Sequence, residues 1–219
     1  MQTVVGGIVK AFQFDYKRGD SIVDGTFWFH LGDNNDIVPH DATFIILESS
    51  QEETCYNVVE KTSQLDHEAV LEVYFTAYCP KIGKWVLAYE RFSSSLCEQI
   101  ENHPDQVISF FEDAEMLQLS TFWRRTVRNL IRMLALARAQ GVAIGALGHK
   151  ESYVIVPSGE IKISGIGLYR STGMVSHAND LYDLRNFFWS TPFFNASLSE
   201  EWIGFDLLLR SGLMSQPPT

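Results

Sequence analysis

The stretch 141-GVAIGALGHKESYVIVPSGEIKISGIGLYR-170 decides how the rest of the chain is read. Gly141 follows a long helical pattern, and a glycine there closes a helix without a Cβ penalty. The segment "SYVIVP-SG-EIKISGIG" predicts a β-hairpin, with Pro157, Ser158 and Gly159 at its turn. Between helix and hairpin lies a loop containing Ala146 and Glu151, and after the hairpin comes Gly165-Ile166-Gly167. Helix, loop, hairpin and glycine-flanked turn are a layout able to hold chemistry. Yet the stretch has no Asp, and none occurs anywhere from Ala114 through Asn179.

Upstream, residues 12–32 read as two strands, "FQFDY" and "TFWFHL", around a turn supplied by Asp24-Gly25. "GDNNDIVPHD" has loop composition. "ATFIILE" is a short apolar run expected as a buried strand. "QEETCYNVVEKTSQL" carries acid early and Lys61 late, as a helix dipole prefers, with Val58, Val59, Thr62 and Leu65 as the inner face. "AVLEVYFTAY" and "KWVLAYERF" are two further strands joined by "CPKIGK". "SSSLCEQIENH" starts with Ser caps and turns helical. Residues 105–140 are expected to be mainly helical, clearest in "STFWRRTVRNLIRMLALARAQG", where Phe122, Val127, Leu130, Ile131 and Leu134 recur at helical spacing. "NDLYDLRNFFW" and "SEEWIGFDLLLRSG" are two later helices, and "SQPPT" is a frayed tail. Five strands with one helix, then helices with one hairpin, predict an α+β chain of two lobes, 1–90 and 91–219, with a hinge near residues 89–92.

The 219 residues are 46% hydrophobic and 13% aromatic, enough to bury a sizeable core. With 17 basic against 27 acidic residues the net charge is −10, which repels nucleic-acid backbones and anionic lipid. The one basic cluster, Arg124, Arg125, Arg128 and Arg132, reads as a solvated helix face. The three cysteines and six histidines show no metal-ligand spacing and no disulfide framework. No apolar run is long enough to span a membrane, and "MQTVVGGIVKAF" is a poor secretory signal. A cytoplasmic location is expected, with a nuclear one left open.

These segments in this order resemble the eukaryotic protein kinase domain. "SIVDGTFWFHL" is similar to the end of the glycine-rich loop and the second strand. "WVLAYERFSSSLCEQI" resembles strand five, the hinge and the following helix. It is especially similar to the kinase region of the inositol-requiring kinase/ribonuclease of the unfolded-protein response and its plant relatives. "GVAIGALGHKESYVIV" is similar to the catalytic loop, "GEIKISGIGLYR" to the metal-binding segment, and "NDLYDLRNFFW" to the start of the large lobe's central helix. The resemblance implies a five-stranded small lobe with one helix, and a shortened, mainly helical large lobe.

The same resemblance implies which groups phosphoryl transfer would need. The strand-three Lys falls near Ile45, Ile46 or Leu47, with Ile46 as the central assignment, and no Lys or Arg occurs between Arg18 and Lys61. The catalytic base position is Ala146. The downstream metal-holding Asn becomes Glu151, and the metal-binding Asp becomes Gly165. Gly19 and Gly25 are what remains of a phosphate loop, with Asp20, Ile22 and Val23 crowding it. Tyr89 and Arg91, on the hinge, are weak candidates for holding a base. No cofactor and no metal are expected.

The expectation is therefore a pseudokinase: a protein-interaction or regulatory module acting as scaffold, allosteric partner or decoy in stress or defence signalling. Its partner would be an active kinase or another signalling protein, not nucleic acid or membrane. The alternatives are a nucleotide-binding pseudokinase without phosphotransfer and a weakly active atypical kinase using Glu151. The ribonuclease extension of the stress sensor has no counterpart before Thr219, so RNA cleavage is not expected.

Overall fold

A computed structural model describes residues 3–4, 7–31, 37–102, 111–113, 118–169 and 177–190. The expected late helix "SEEWIGFDLLLRSG" and the tail "SQPPT" lie outside the described residues.

The first ninety residues build an antiparallel sheet from β1 (Thr3–Val4), β2 (Gly7–Phe14), β3 (Ile22–Leu31), β4 (Ile37–Leu47), β5 (Val73–Cys79) and β6 (Lys84–Tyr89). Its order is β1-β2-β3-β4-β6-β5, and the edge strands β1 and β5 contact each other, so the sheet curls toward closure. Period-two alternation sorts its side chains. In β4, Ala42, Phe44 and Ile46 join Phe27, Phe75, Val86 and Ala88 inside the curl. Phe12, Phe14, Phe44 and Phe75 meet there with ring centroids 5.0–6.2 Å apart. Aromatic pairs in that range add about 0.5–1.5 kcal/mol each beyond area burial.

The opposite side of the sheet is covered by α1 (Glu52–Ser63). Glu52 and Glu53 occupy its first turn and Lys61 its last, the charge order the dipole favours. Cys55 and Val58 face inward against Leu71, Trp85, Leu87 and Tyr89, with Ile45 and Leu47 beside them. Leu65, assigned from sequence to the inner face of this helix, lies just past its end. There it packs into a different core, with Trp123, Leu130 and Ile144.

That second core surrounds α3 (Thr121–Ala139), which begins where Ser120 Oγ accepts the Trp123 N–H at 3.4 Å. Trp123, Val127, Leu130, Met133, Leu134 and Ala137 are its buried face; Phe122 and Ile131 are only partly buried. The arginines lie on the other face: Arg125, Arg128 and Arg132 are exposed, and Arg125 pairs with Glu160 at 2.8 Å. Strands β10 (Tyr153–Ile155) and β11 (Ile161–Ile163) form the expected hairpin, with β7 (Ser94–Ser95) on its edge. Helices α2 (Leu96–Asn102) and α4 (His177–Ser190) complete the described part. The chain is α+β, and no helix among the described residues is long and apolar enough to cross a membrane.

Three local expectations need correction. Asp24-Gly25 is not the first turn. It lies within β3, and the reversal is made at Asp15–Ser21, where Asp20 accepts the Lys17 N–H at 2.8 Å. Turn composition lost there to strand pairing: Gly25 pairs with Phe14 of β2 and Ala42 of β4. A Cβ at Gly25 would fall against the Gln13 carbonyl oxygen and 2.9 Å from the Phe44 ring. Residues Ile37–Asp41, expected as loop, are paired along β3 as the first half of β4. Within the span 105–140, expected to be mainly helical, the described residues before Thr121 include two strands, β8 (Phe111–Asp113) and β9 (Gln118–Leu119), which form a small hairpin.

Near residues 89–92 the chain passes from the sheet toward the helical core, but this is not the only tie between them. Ala69–Leu71 lies alongside β11: the Leu71 N–H donates to Ile163 O at 2.9 Å, and the Ile163 N–H donates to Ala69 O at 2.8 Å. Beside the crossing, Lys162 Nζ reaches both carboxylate oxygens of Glu90 at 2.8 and 2.6 Å.

Candidate functional site

A cleft of about 600 Å³ opens between β3–β4 on one side and the β10–β11 hairpin with its following turn on the other. That volume suits a small-molecule ligand. Val23, Ile45, Leu47, Val154 and Leu168 give it apolar walls; Ser93, Ser94, Ser95 and Ser164 give it hydroxyls. Its charged lining residues are Asp24, Glu98 and Glu151, and no Lys or Arg lines it among the described residues.

The structure brings some of the sequence-selected positions together here and leaves others away. Ile46, Glu151 and Gly165 all border the cleft. Alternation along β4 separates the three candidates for the cationic position: Ile46 packs inside the curled sheet, while Ile45 and Leu47 pack on the side shared with α1 and Val154. Glu151 is exposed, in a 3-10 turn over Lys150–Ser152. Gly19 and Gly25 do not border the cleft, so they do not form a phosphate-cradling pair on it. Tyr89 lies fully buried behind the cleft. Burial pushes its phenol well above the ordinary tyrosine range, with the Gly165 backbone beside it acting in the opposite sense. Arg91 is exposed at the rim, 3.5 Å from Asp24 and 3.6 Å from Asp41.

Ala146 is fully buried in a loop whose backbone is fixed from below. Asp180, at the start of α4 and with no exposed surface, accepts the Ile144 N–H at 2.9 Å and the Gly145 N–H at 2.7 Å. Tyr153 Oη donates to Leu147 O at 2.9 Å, and the Tyr153 ring stacks on Phe187 at 3.5 Å. Two backbone donors and a carboxylate are thus spent on holding a loop whose side chains, Ile144, Ala146 and Leu147, cannot move a proton. Asp183 lies one turn further along α4, against Gly148. Burial holds its carboxyl above the usual range, helped by the neighbouring Asp180 and opposed by His149. Neither Asp180 nor Asp183 borders the cleft.

The Gly165-Ile166-Gly167 turn is pinned to α1. Asn57 Nδ2 donates to Gly167 O at 2.6 Å, and the Gly167 N–H reaches Ile144 O at 3.4 Å. Gly167 has φ +79°, and a Cβ there would meet Asn57 and Lys61 at 3.0 Å, so a side chain would be strained and would press on both neighbours. Ile166 is buried in the helical core beside Ile144. The turn therefore presents backbone and apolar side chains and no carboxylate. Among the described residues no group of three or more His, Cys, Asp or Glu could hold a metal ion.

The crossing segment is the part that sequence reasoning read least well. The Phe92 N–H donates to Thr43 Oγ1 at 3.3 Å, and Thr43 Oγ1 in turn donates to Asp24 Oδ1 at 3.0 Å. Thr43 was not singled out, although the alternation through β4 puts it on the same face as Ile45. Asp180 was also missed, although it is the first Asp after the long Asp-free interval. The chain matches no protein-family model and no curated protein.

Proposed function

We propose that this chain is a protein kinase-like module that has lost phosphotransfer and works by presenting its surface to a protein partner, an active kinase or another signalling protein. One observation carries the reading. A buried carboxylate, Asp180, fixes the loop at Ile144–Leu147 as though for catalysis, and the loop offers only apolar side chains. The cleft supports it. A triphosphate brings about four negative charges, and Asp24, Glu98 and Glu151 meet them with repulsion while Ile45 and Leu47 supply no cation. The hinge supports it too, because the Phe92 N–H is already bonded to Thr43.

The test is the full chain with ATP and magnesium. The expected result is no magnesium-dependent rise in melting temperature and no phosphate released from labelled ATP. A binder present at 100 times its Kd would add about 2.7 kcal/mol, a shift of several degrees. Such a shift would sink the non-binding part of the reading. Phosphate release abolished by Glu151→Gln would sink the loss of catalysis as well.

A further inference from the structure

We propose that Thr43 is a built-in occupant of the cleft's recognition edge, and that it is the residue excluding flat, uncharged heterocycles from the site. This deepens the reading above and rests on it. A residue whose backbone N–H and C=O both face a cavity can read the edge of a planar base, where a ring nitrogen stands beside an exocyclic amine. Phe92 and Thr43 both border the cleft. Thr43 Oγ1 takes both positions: it accepts from the Phe92 N–H at 3.3 Å and stands 3.5 Å from the Phe92 carbonyl oxygen.

The hydroxyl is not free to turn aside. It has one proton, and its shorter contact, 3.0 Å, is to the Asp24 carboxylate, the stronger acceptor. The other Asp24 oxygen faces Arg91 at 3.5 Å. Thr43 is 1% exposed, and its β-branched side chain is stiff about χ1. An entering ring must break this chain of contacts and leave buried groups unpaired, which weakens a ligand by about tenfold or more. Removing the hydroxyl and methyl frees the Phe92 N–H and opens space beside it. Asp24, Glu98 and Glu151 remain, so the class admitted is the uncharged nucleoside and not its triphosphate.

The experiment is equilibrium dialysis of the full chain with labelled adenosine and, separately, labelled ATP with magnesium, for the parent, Thr43→Ala and Thr43→Ser. Thr43→Ala is expected to bind adenosine at least tenfold more tightly than the parent. Thr43→Ser, which keeps the hydroxyl, is expected to behave as the parent, and none of the three is expected to take up ATP. An alanine variant no better than the parent, or a serine variant that binds adenosine as tightly as the alanine variant, overturns the inference. A parent that binds adenosine as tightly as the alanine variant does so too. Uptake of ATP by the parent refutes the proposed function instead, so the two failures are distinct. Amide exchange at Phe92 covers the case of an alanine variant that does not fold. Exchange should be slow in the parent and at least tenfold faster in the shape-conserving Thr43→Val. Equal rates overturn the inference.

Discussion

Replacing Asp180 by Ala tests whether the loop at residues 144–147 is held by that one carboxylate. Asp180 is fully buried and takes the Ile144 and Gly145 N–H groups at 2.9 and 2.7 Å. Alanine leaves both donors without this acceptor. A buried polar group left unpaired costs about 1–3 kcal/mol, so the two together span about 2–6 kcal/mol. Ile144 is 1% exposed and cannot turn to water, whereas Gly145 is half-buried and recovers part of its loss. A net cost of about 3–4 kcal/mol follows. For a chain of this size each kcal/mol lowers the melting temperature by about 2–4 °C, so the drop should be on the order of 10 °C. Asp180→Asn keeps one carbonyl acceptor and should lose roughly half as much. Thermal melts followed by circular dichroism, with urea titration to check that the m-value is unchanged, measure both. Asp180→Ala melting within about 2 °C of the parent would refute the claim that the carboxylate organises the loop.

Two further outcomes are expected. Gly25→Ala sets a Cβ against the Gln13 carbonyl oxygen and within 2.9 Å of Phe44, so it should cost about 3 kcal/mol or more by overpacking; an unfolding midpoint equal to the parent's would contradict that. Asp183, whose carboxyl is held up by burial and then by Asp180, binds its proton more tightly folded than unfolded. Stability from this group is therefore greatest below the unfolded value and falls as pH rises through the window up to the folded value. Asp183→Asn should raise the melting temperature at pH 7 and change it little near pH 3; an identical shift at both pH values would count against the assignment.

The elements legible in the sequence were those whose pattern is local. The α3 periodicity, the Pro157–Gly159 turn and the dipole-ordered charges of α1 all predicted the elements found. What local pattern could not show was pairing over distance. Asp24-Gly25 has turn composition, but the ladders to Phe14 and Ala42 hold it in a strand. Ile37–Asp41 looks like loop because Pro39, His40 and Asp41 are poor strand formers, and its pairing with β3 overrides that. At the site, composition alone could show missing charge, since the absence of Lys and Arg between Arg18 and Lys61, and of Asp from Ala114 through Asn179, needs no alignment. It could not show which retained groups are engaged. The Thr43–Phe92 bond joins residues 49 apart, and the Asp180–Ile144 bond joins residues 36 apart.

The seam between the sheet and the helical core is sewn at several separate points: Ala69 and Leu71 to Ile163, Glu90 to Lys162, and Asn57 to Gly167. Ties at several points oppose a swing of one half against the other. The protein partner proposed above, if docked across this seam, would lose little affinity to selecting among arrangements of its two sides. The same stitching means that neither half keeps its contours when cut from the other, because Leu65 and Val70 from the first ninety residues are part of the helical core.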